Sequence, residues 1–406
     1  MRARNVIILS ISTALGRAGA PMLLLIGGIV GTELAPSPSL ATLPIAISVI
    51  GVAIFTIPAA LVMKKIGRKF GFIVSAVVAA GAALVAAYAI GVGSFFLLCA
   101  AMIFIGGNMA FVQQYRFAAA ESVETRHVGK AVSFVLLGGV LAGYLGPEIA
   151  KRTKDWLGYG AYTGSFVSLA LLFVVVAVLL SFLRNVAVKD EEAATGEERS
   201  LRAMVMQPTF IVAVMAGVVG YGVMSLIMTA TPISMHVTDG HTLGETGWVI
   251  QSHVIAMYLP ALFTGYLVGR LGVLRVMSMG VIVLFACVAL ALVDRSLMHY
   301  WGALVLLGLG WNLLFVAGTT LLTRSYHPAE RYRAQAVNEF MIFGTQAFAS
   351  LTAGTVIALA SWRILNLINL PFLFLLLAAI LMLRHRLARP TQGGLLAVAG
   401  GQSAGR

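Results

Sequence analysis

Ala60-Leu-Val-Met-Lys64-Lys65-Ile-Gly67-Arg68-Lys69 and, 205 positions on, Gly265-Tyr-Leu-Val-Gly269-Arg270-Leu-Gly272-Val-Leu-Arg275 decide the fold of this chain. Each stretch leaves a long apolar run, turns on a glycine among basic residues, and enters another such run. The same offset relates Arg126 to Arg331 and Ala131-Val132 to Ala336-Val337. Self-similarity at one fixed offset marks a chain built of related units, and repeats of six apolar spans mark transporters.

Outward from these turns, the apolar runs of the first half fall at 5–30, 40–63, 70–92, 94–117, 130–150 and 159–183. Those of the second fall at 209–234, 248–269, 274–293, 300–323, 336–360 and 363–384. A hydrocarbon core of ~30 Å is crossed by ~20 apolar residues in a helix. Backbone polar groups find no water there, so each run must satisfy its own hydrogen bonds as a helix. With 60% hydrophobic and 11% charged residues and a mean hydropathy of +0.95, a soluble protein is excluded. The expected fold class is an all-α membrane protein, with twelve transmembrane helices in two pseudo-symmetric six-helix bundles. The bundles span 1–184 and 209–384, with a mobile cytoplasmic linker at 185–208 and a cytoplasmic tail at 385–406.

Basic residues set the orientation. With both termini cytoplasmic, all but six of the 28 lysines and arginines fall on the cytoplasmic side, the exceptions being Arg17, Lys151, Arg152, Lys154, Arg295 and Arg363. The net charge of +13 thus reports topology and contact with anionic lipid heads, the bilayer being the expected partner. No exposed basic domain offers itself to nucleic acid, and no obligate protein partner is indicated. The apolar start is read as the first span, since no signal cleavage site follows it. Cys99 and Cys287, the two cysteines, fall inside spans and read as packing residues.

The paired turns resemble the signature loop of the major facilitator superfamily: a small residue, three spacers, an acid, a base, one spacer, glycine, then bases. Lys64 and Gly269 replace the acid in the two copies. In that family the loop latches the cytoplasmic side. Here Lys64, Lys65 or Arg68 could instead meet Glu339 near the start of span eleven, or simply obey the charge rule. Gly138-Gly139…Gly143-Tyr-Leu-Gly146-Pro147 in span five reads as close helix packing.

Span seven carries Met224-x-x-x-Met228 and span eight His253-x-x-x-Met257. Residues four apart share one helix face, and both pairs lie at similar depth in the outer half of the membrane. Thioethers with an imidazole suit Cu(I), and an intramembrane His is expensive enough to suggest a role. The bland alternative stands beside this. With 17 methionines one such pair is expected by chance, and Met fills irregular gaps between helices. The segments Tyr221–Pro232 and Ile250–Pro260 resemble the CcoA-like copper importers of bacterial inner membranes, a group that includes riboflavin-importer-like relatives. That resemblance implies copper binding at Met224, Met228, His253 and Met257, and a place in the bacterial inner membrane. Met235, His236 and His241 are candidates for a periplasmic mouth, or else solvated loop residues.

Arg17 lies near the bilayer centre, where a charge costs at least ~2.5 kcal/mol and normally faces a cavity or partner. Carbonyls, Asn108, Asn312, Gln346 or an anionic substrate are its candidate partners. A fixed cation repels Cu(I) and suits an organic anion or a polar ring such as a flavin. Glu148 and Glu339, with His253, are the candidates for coupling to protons, as cavity or gating residues. No catalytic cluster, Walker loop or extramembrane domain is found, so enzyme, ATP-driven pump and receptor readings fall away. The expectation is a secondary transporter working by alternating access, with no resident cofactor. Copper is its first substrate candidate; riboflavin or another small organic solute is the alternative.

Overall fold

A computed structural model describes residues 3–124, 128–184, 199–327 and 330–388. The first half contributes α1 (Ala3–Arg17), α2 (Gly19–Leu34), α3 (Leu43–Ile66), α4 (Arg68–Gly91), α5 (Phe95–Val112), α6 (Tyr115–Glu121), α7 (Val128–Thr153) and α8 (Thr163–Ser181). The second contributes α9 (Leu201–Val205), α10 (Pro208–Pro232), α11 (Leu243–Tyr258), α12 (Ala261–Leu271), α13 (Val273–Val293), α14 (Leu297–Thr323), α15 (Arg331–Leu359), α16 (Trp362–Leu367) and α17 (Asn369–Ala388).

Among the described residues ten helical stretches are long and apolar enough to cross a bilayer, and α11 with α12 makes an eleventh, bent by 41°. Helix α7 holds the fifth place in the order, its 26 residues carrying Lys151 and Arg152 in the last turn. Exposed side chains say what surrounds the molecule. On α3, Ile50, Ile54, Ile57 and Leu61 are all exposed at three- and four-residue spacing. That is one helix face of bare hydrocarbon, which only lipid can cover.

The repeat returns in the backbone. Gly67 and Gly272 take φ of +85° and +88°, a conformation that L side chains resist, and each joins two helices. Gly67 donates to the Met63 carbonyl, and Gly272 donates likewise to Val268, both at 3.0 Å. Helix pairing repeats as well. In the first half α1 packs on α7, α3 on α5, and α4 on α5 and α8; in the second α10 packs on α15, α11 on α14, and α13 on α14 and α17. Between the halves, α2 meets α10 and α11, α3 meets α15, and α7 meets α11.

Glycine makes the α7 contacts possible. A Cβ on Gly146 would stand 2.3 Å from the Ala18 carbonyl oxygen, and one on Gly143 2.5 Å from Val254 in the other half. At the end of the molecule opposite Gly67 and Gly272, hydrogen bonds join the halves directly. The Gly354 amide donates to Thr42 Oγ1 at 3.1 Å, and Gln251 donates to the Tyr144 carbonyl at 3.0 Å.

Three expectations are corrected. The linker does not run unstructured to residue 208: Ser200 caps α9 by accepting from the Ala203 amide, and Arg199 grips Glu330 at 2.6 Å. The rest of that linker, 185–198, lies outside the described residues, as does the tail beyond Ala388, to which α17 extends. The latch to Glu339 is replaced by a pair within the first half, Arg68 with Glu121 on α6. Glu339 sits ~12 Å along α15 from its first residue, too deep for a loop base. Lys65 is exposed, and the Lys64 side chain lies outside the described residues.

Candidate functional site

A cavity of about 640 Å³ lies between the halves. It is in the range that holds small organic ligands. Both halves supply its walls, and three features define its chemistry.

The first is the thioether–imidazole wall. Met224 and Met228 from α10 and His253 and Met257 from α11 all line this cavity. Gly308 of α14 lets the helices approach, since a Cβ there would be 2.6 Å from the His253 carbonyl oxygen. His253 Nδ1 lies 2.8 Å from the Leu304 carbonyl oxygen. A carbonyl only accepts, so Nδ1 carries the proton and Nε2 keeps a lone pair. That Nε2 is buried and has no partner among the described residues. One turn on, the bend at Leu259-Pro260 disturbs the helix ladder; Asn312 donates to the Met257 carbonyl at 2.7 Å and accepts from Thr264 at 2.6 Å. The bend is thereby satisfied from a neighbouring helix.

The second feature is aromatic. Trp311 and Phe315, one turn apart on α14, stack with centroids 4.8 Å apart and planes 7° from parallel. Tyr221 meets both edge-on, at 5.1 and 6.0 Å, and Tyr258 meets Trp311 edge-on at 6.2 Å. All four line the cavity.

The third is charge. Arg17, Arg116 and Glu339 are the charged residues among the described cavity lining. Arg17 ends α1 where the first span breaks before Gly19. Its guanidinium lies 3.6 Å from the point where a Gly139 Cβ would stand, with the Tyr258 ring 3.8 Å from the same point. Arg116 on α6 is within electrostatic reach of Arg17 and Glu339. Gln346 and Asn312 share the cavity with Arg17, whereas Asn108 does not line it and accepts from Ser75 at 3.0 Å.

Other candidates lie elsewhere. Glu148 is spent on Lys151 and Arg152 at 2.8 and 2.6 Å, away from the cavity lining. Met235 is fully buried in the apolar core. His236 Nδ1 lies 2.7 Å from the His241 carbonyl oxygen, and His241 Nε2 lies 3.2 Å from that of Arg295. These three hold the turn between α10 and α11, where the His241 amide also donates to the Met235 carbonyl, and none of them is in the cavity lining. Sequence reasoning missed Arg116, taken for a loop base, and the aromatic wall, drawn from three helices with no common spacing.

Known proteins resemble the chain along its length. The Major Facilitator Superfamily pattern matches residues 6–242 and 216–400. The riboflavin transporter RfnT of Brucella anthropi is 37% identical over 380 residues, covering 93% of this chain and 95% of its own. The uncharacterized MFS-type transporter YdeG of Bacillus subtilis is 28% identical, covering 94% and 92%. Among solved structures, a mutant of the nucleoside transporter NupG superposes with TM-score 0.73 at 14% identity, covering 93% of this chain and 99% of that one. A bacterial homologue of the lysosomal transporter Spinster, inward-facing, gives 0.72 at 12%, covering 94% and 96%. All four of these proteins are named as transporters, and copper appears in none of the names. Two repeated helical halves around one central cavity, with the family pattern matched over nearly every residue, make this chain a member of the major facilitator superfamily.

Proposed function

We propose that this protein is a secondary-active transporter of the bacterial inner membrane, with both termini cytoplasmic. Its cargo is a small planar heteroaromatic solute of the riboflavin class. The observation that carries the reading is the stacked Trp311–Phe315 pair edged by Tyr221 and Tyr258 in the central cavity. Flat conjugated rings bind by stacking on such surfaces at about 1–3 kcal/mol each. Arg17 beside that wall supplies a donor for ring carbonyls. Likeness to a riboflavin transporter supports the same cargo. Residues 1–184 and 209–384 act as two bodies that rock about the cavity.

Copper is kept as a second reading on one observation: His253 Nε2, on the wall that carries Met224, Met228 and Met257, has no partner among the described residues. Two arginines in the same cavity weigh against a bare cation.

Uptake of labelled riboflavin and cellular copper content, measured side by side in wild type, Trp311→Ala and Met224→Ala, separate the two. Saturable flavin uptake lost in Trp311→Ala, with copper unchanged throughout, is expected. No flavin uptake, together with copper accumulation that depends on Met224, would reverse the assignment.

A further inference from the structure

The charges of the cavity do not balance. Arg17 and Arg116 face one carboxylate, Glu339, among the described lining residues. Arg116 lies within electrostatic reach of Glu339, its counter-charge, and also of Arg17, a second cation. Tyr221 lies within electrostatic reach of both arginines, and of Tyr258 and Glu339. Two guanidiniums lining one low-dielectric cavity repel each other, and a group of opposite charge between them relieves that cost. Guanidinium is shaped for this, offering a planar fork of donors that carboxylate and phosphate oxygens fit. The aromatic wall adjoins the pair, since the Tyr258 ring and the Arg17 guanidinium approach the same point beside Gly139.

We propose that Arg17 and Arg116 form an anion subsite in the central cavity, beside the aromatic wall. It holds either an acidic group carried by the transported solute or a free inorganic anion bound together with a neutral one. The proposal rests on reading the cavity as the solute's site, and it concerns the negative charge that must accompany the ring.

The test uses the full-length protein in detergent and in proteoliposomes. Modification of Arg17 by phenylglyoxal, mapped by mass spectrometry, is measured alone, with chloride, and with riboflavin 5′-phosphate. Protection by either anion is expected. Riboflavin binding is then compared with that of riboflavin 5′-phosphate, in chloride and in gluconate.

If the solute carries the anion, the phosphate ester binds roughly tenfold tighter than riboflavin in either buffer. Arg17→Gln removes the difference, and Glu339→Gln enlarges it by leaving Arg116 unopposed. If the anion is inorganic, riboflavin binding weakens several-fold in gluconate, and Arg17→Gln abolishes that dependence. Opposite effects of the Arg17 and Glu339 variants cannot come from simple loss of structure. Arg17 unprotected by both anions, with binding indifferent to charge and to chloride, overturns the subsite. Protection without any riboflavin binding or uptake instead defeats the flavin reading and leaves the subsite standing.

Discussion

Trp311 bears the greatest weight in the cargo assignment. Removing its indole takes away the stacking surface and leaves Phe315 without its partner. Trp311→Ala should weaken flavin binding by about 1–3 kcal/mol, roughly 5- to 150-fold, while Trp311→Phe keeps most of the affinity. Equilibrium titration with riboflavin measures both, and equal affinities in all three proteins would remove the aromatic wall from the site. His253 was legible from sequence as an intramembrane polar residue, and spacing alone put Met224 with Met228 and His253 with Met257. All four reach the cavity lining. Trp311, Tyr221 and Tyr258 were not legible, because aromatics are ordinary in lipid-facing helices and only packing shows which of them turn inward. Arg116 was hidden differently. It sits where an apolar run gives way to charge, and hydropathy cannot show that the short helix α6 continues the span Phe95–Ala119 and brings Arg116 to the cavity lining.

Among the helical elements, the junction of the two halves at Thr42 and Gly354 admits a direct test. Any Cβ at residue 354 would stand 2.5 Å from Thr42 Oγ1, the atom that accepts its amide. Alternating access requires this contact to part and reform, so Gly354→Val should hold the halves open at that end. A thiol placed as Ser39→Cys should then react faster with a membrane-impermeant reagent, and uptake should fall. Unchanged labelling and uptake would show that the contact does not gate. The buried Cys99 and Cys287 give little background.

At the other end, Arg199 holds the Glu330 carboxyl down at about 2, through a two-pronged pair that ties the start of the second half to α15. The folded state prefers the ionised acid, so its contribution is complete above the ordinary carboxylate range. It is lost as pH falls from about 4.5 toward 2. Melting of the wild type in detergent should drop across that window more steeply than melting of Glu330→Gln, which has no carboxyl to titrate. Helix positions and the paired Gly67 and Gly272 turns were readable because lipid imposes length and the repeat imposes spacing. The break at Ala18 and the pair Arg68–Glu121 were not, since both depend on which helix lies alongside.

For the molecule as a whole, the two-body reading predicts its own separability. Residues 1–198 and 199–406 expressed as two chains should assemble in the membrane and restore uptake, with reporters at both original termini facing the cytoplasm. Failure of the pieces to associate, or a terminus found outside, would contradict the proposed arrangement. Charge placement in the sequence proposes the orientation that those reporters test; the contents of the cavity waited on packing. One further property follows from where the tryptophans lie. Of the five, Trp156 is exposed, Trp248 stacks on Trp301 and Trp362 is buried, while Trp311 alone among them lines the cavity. A yellow chromophore lying against that indole would drain its excited state before it could emit. The protein therefore carries its own light meter: its ultraviolet glow should dim as cargo enters and recover as cargo leaves, with no label attached.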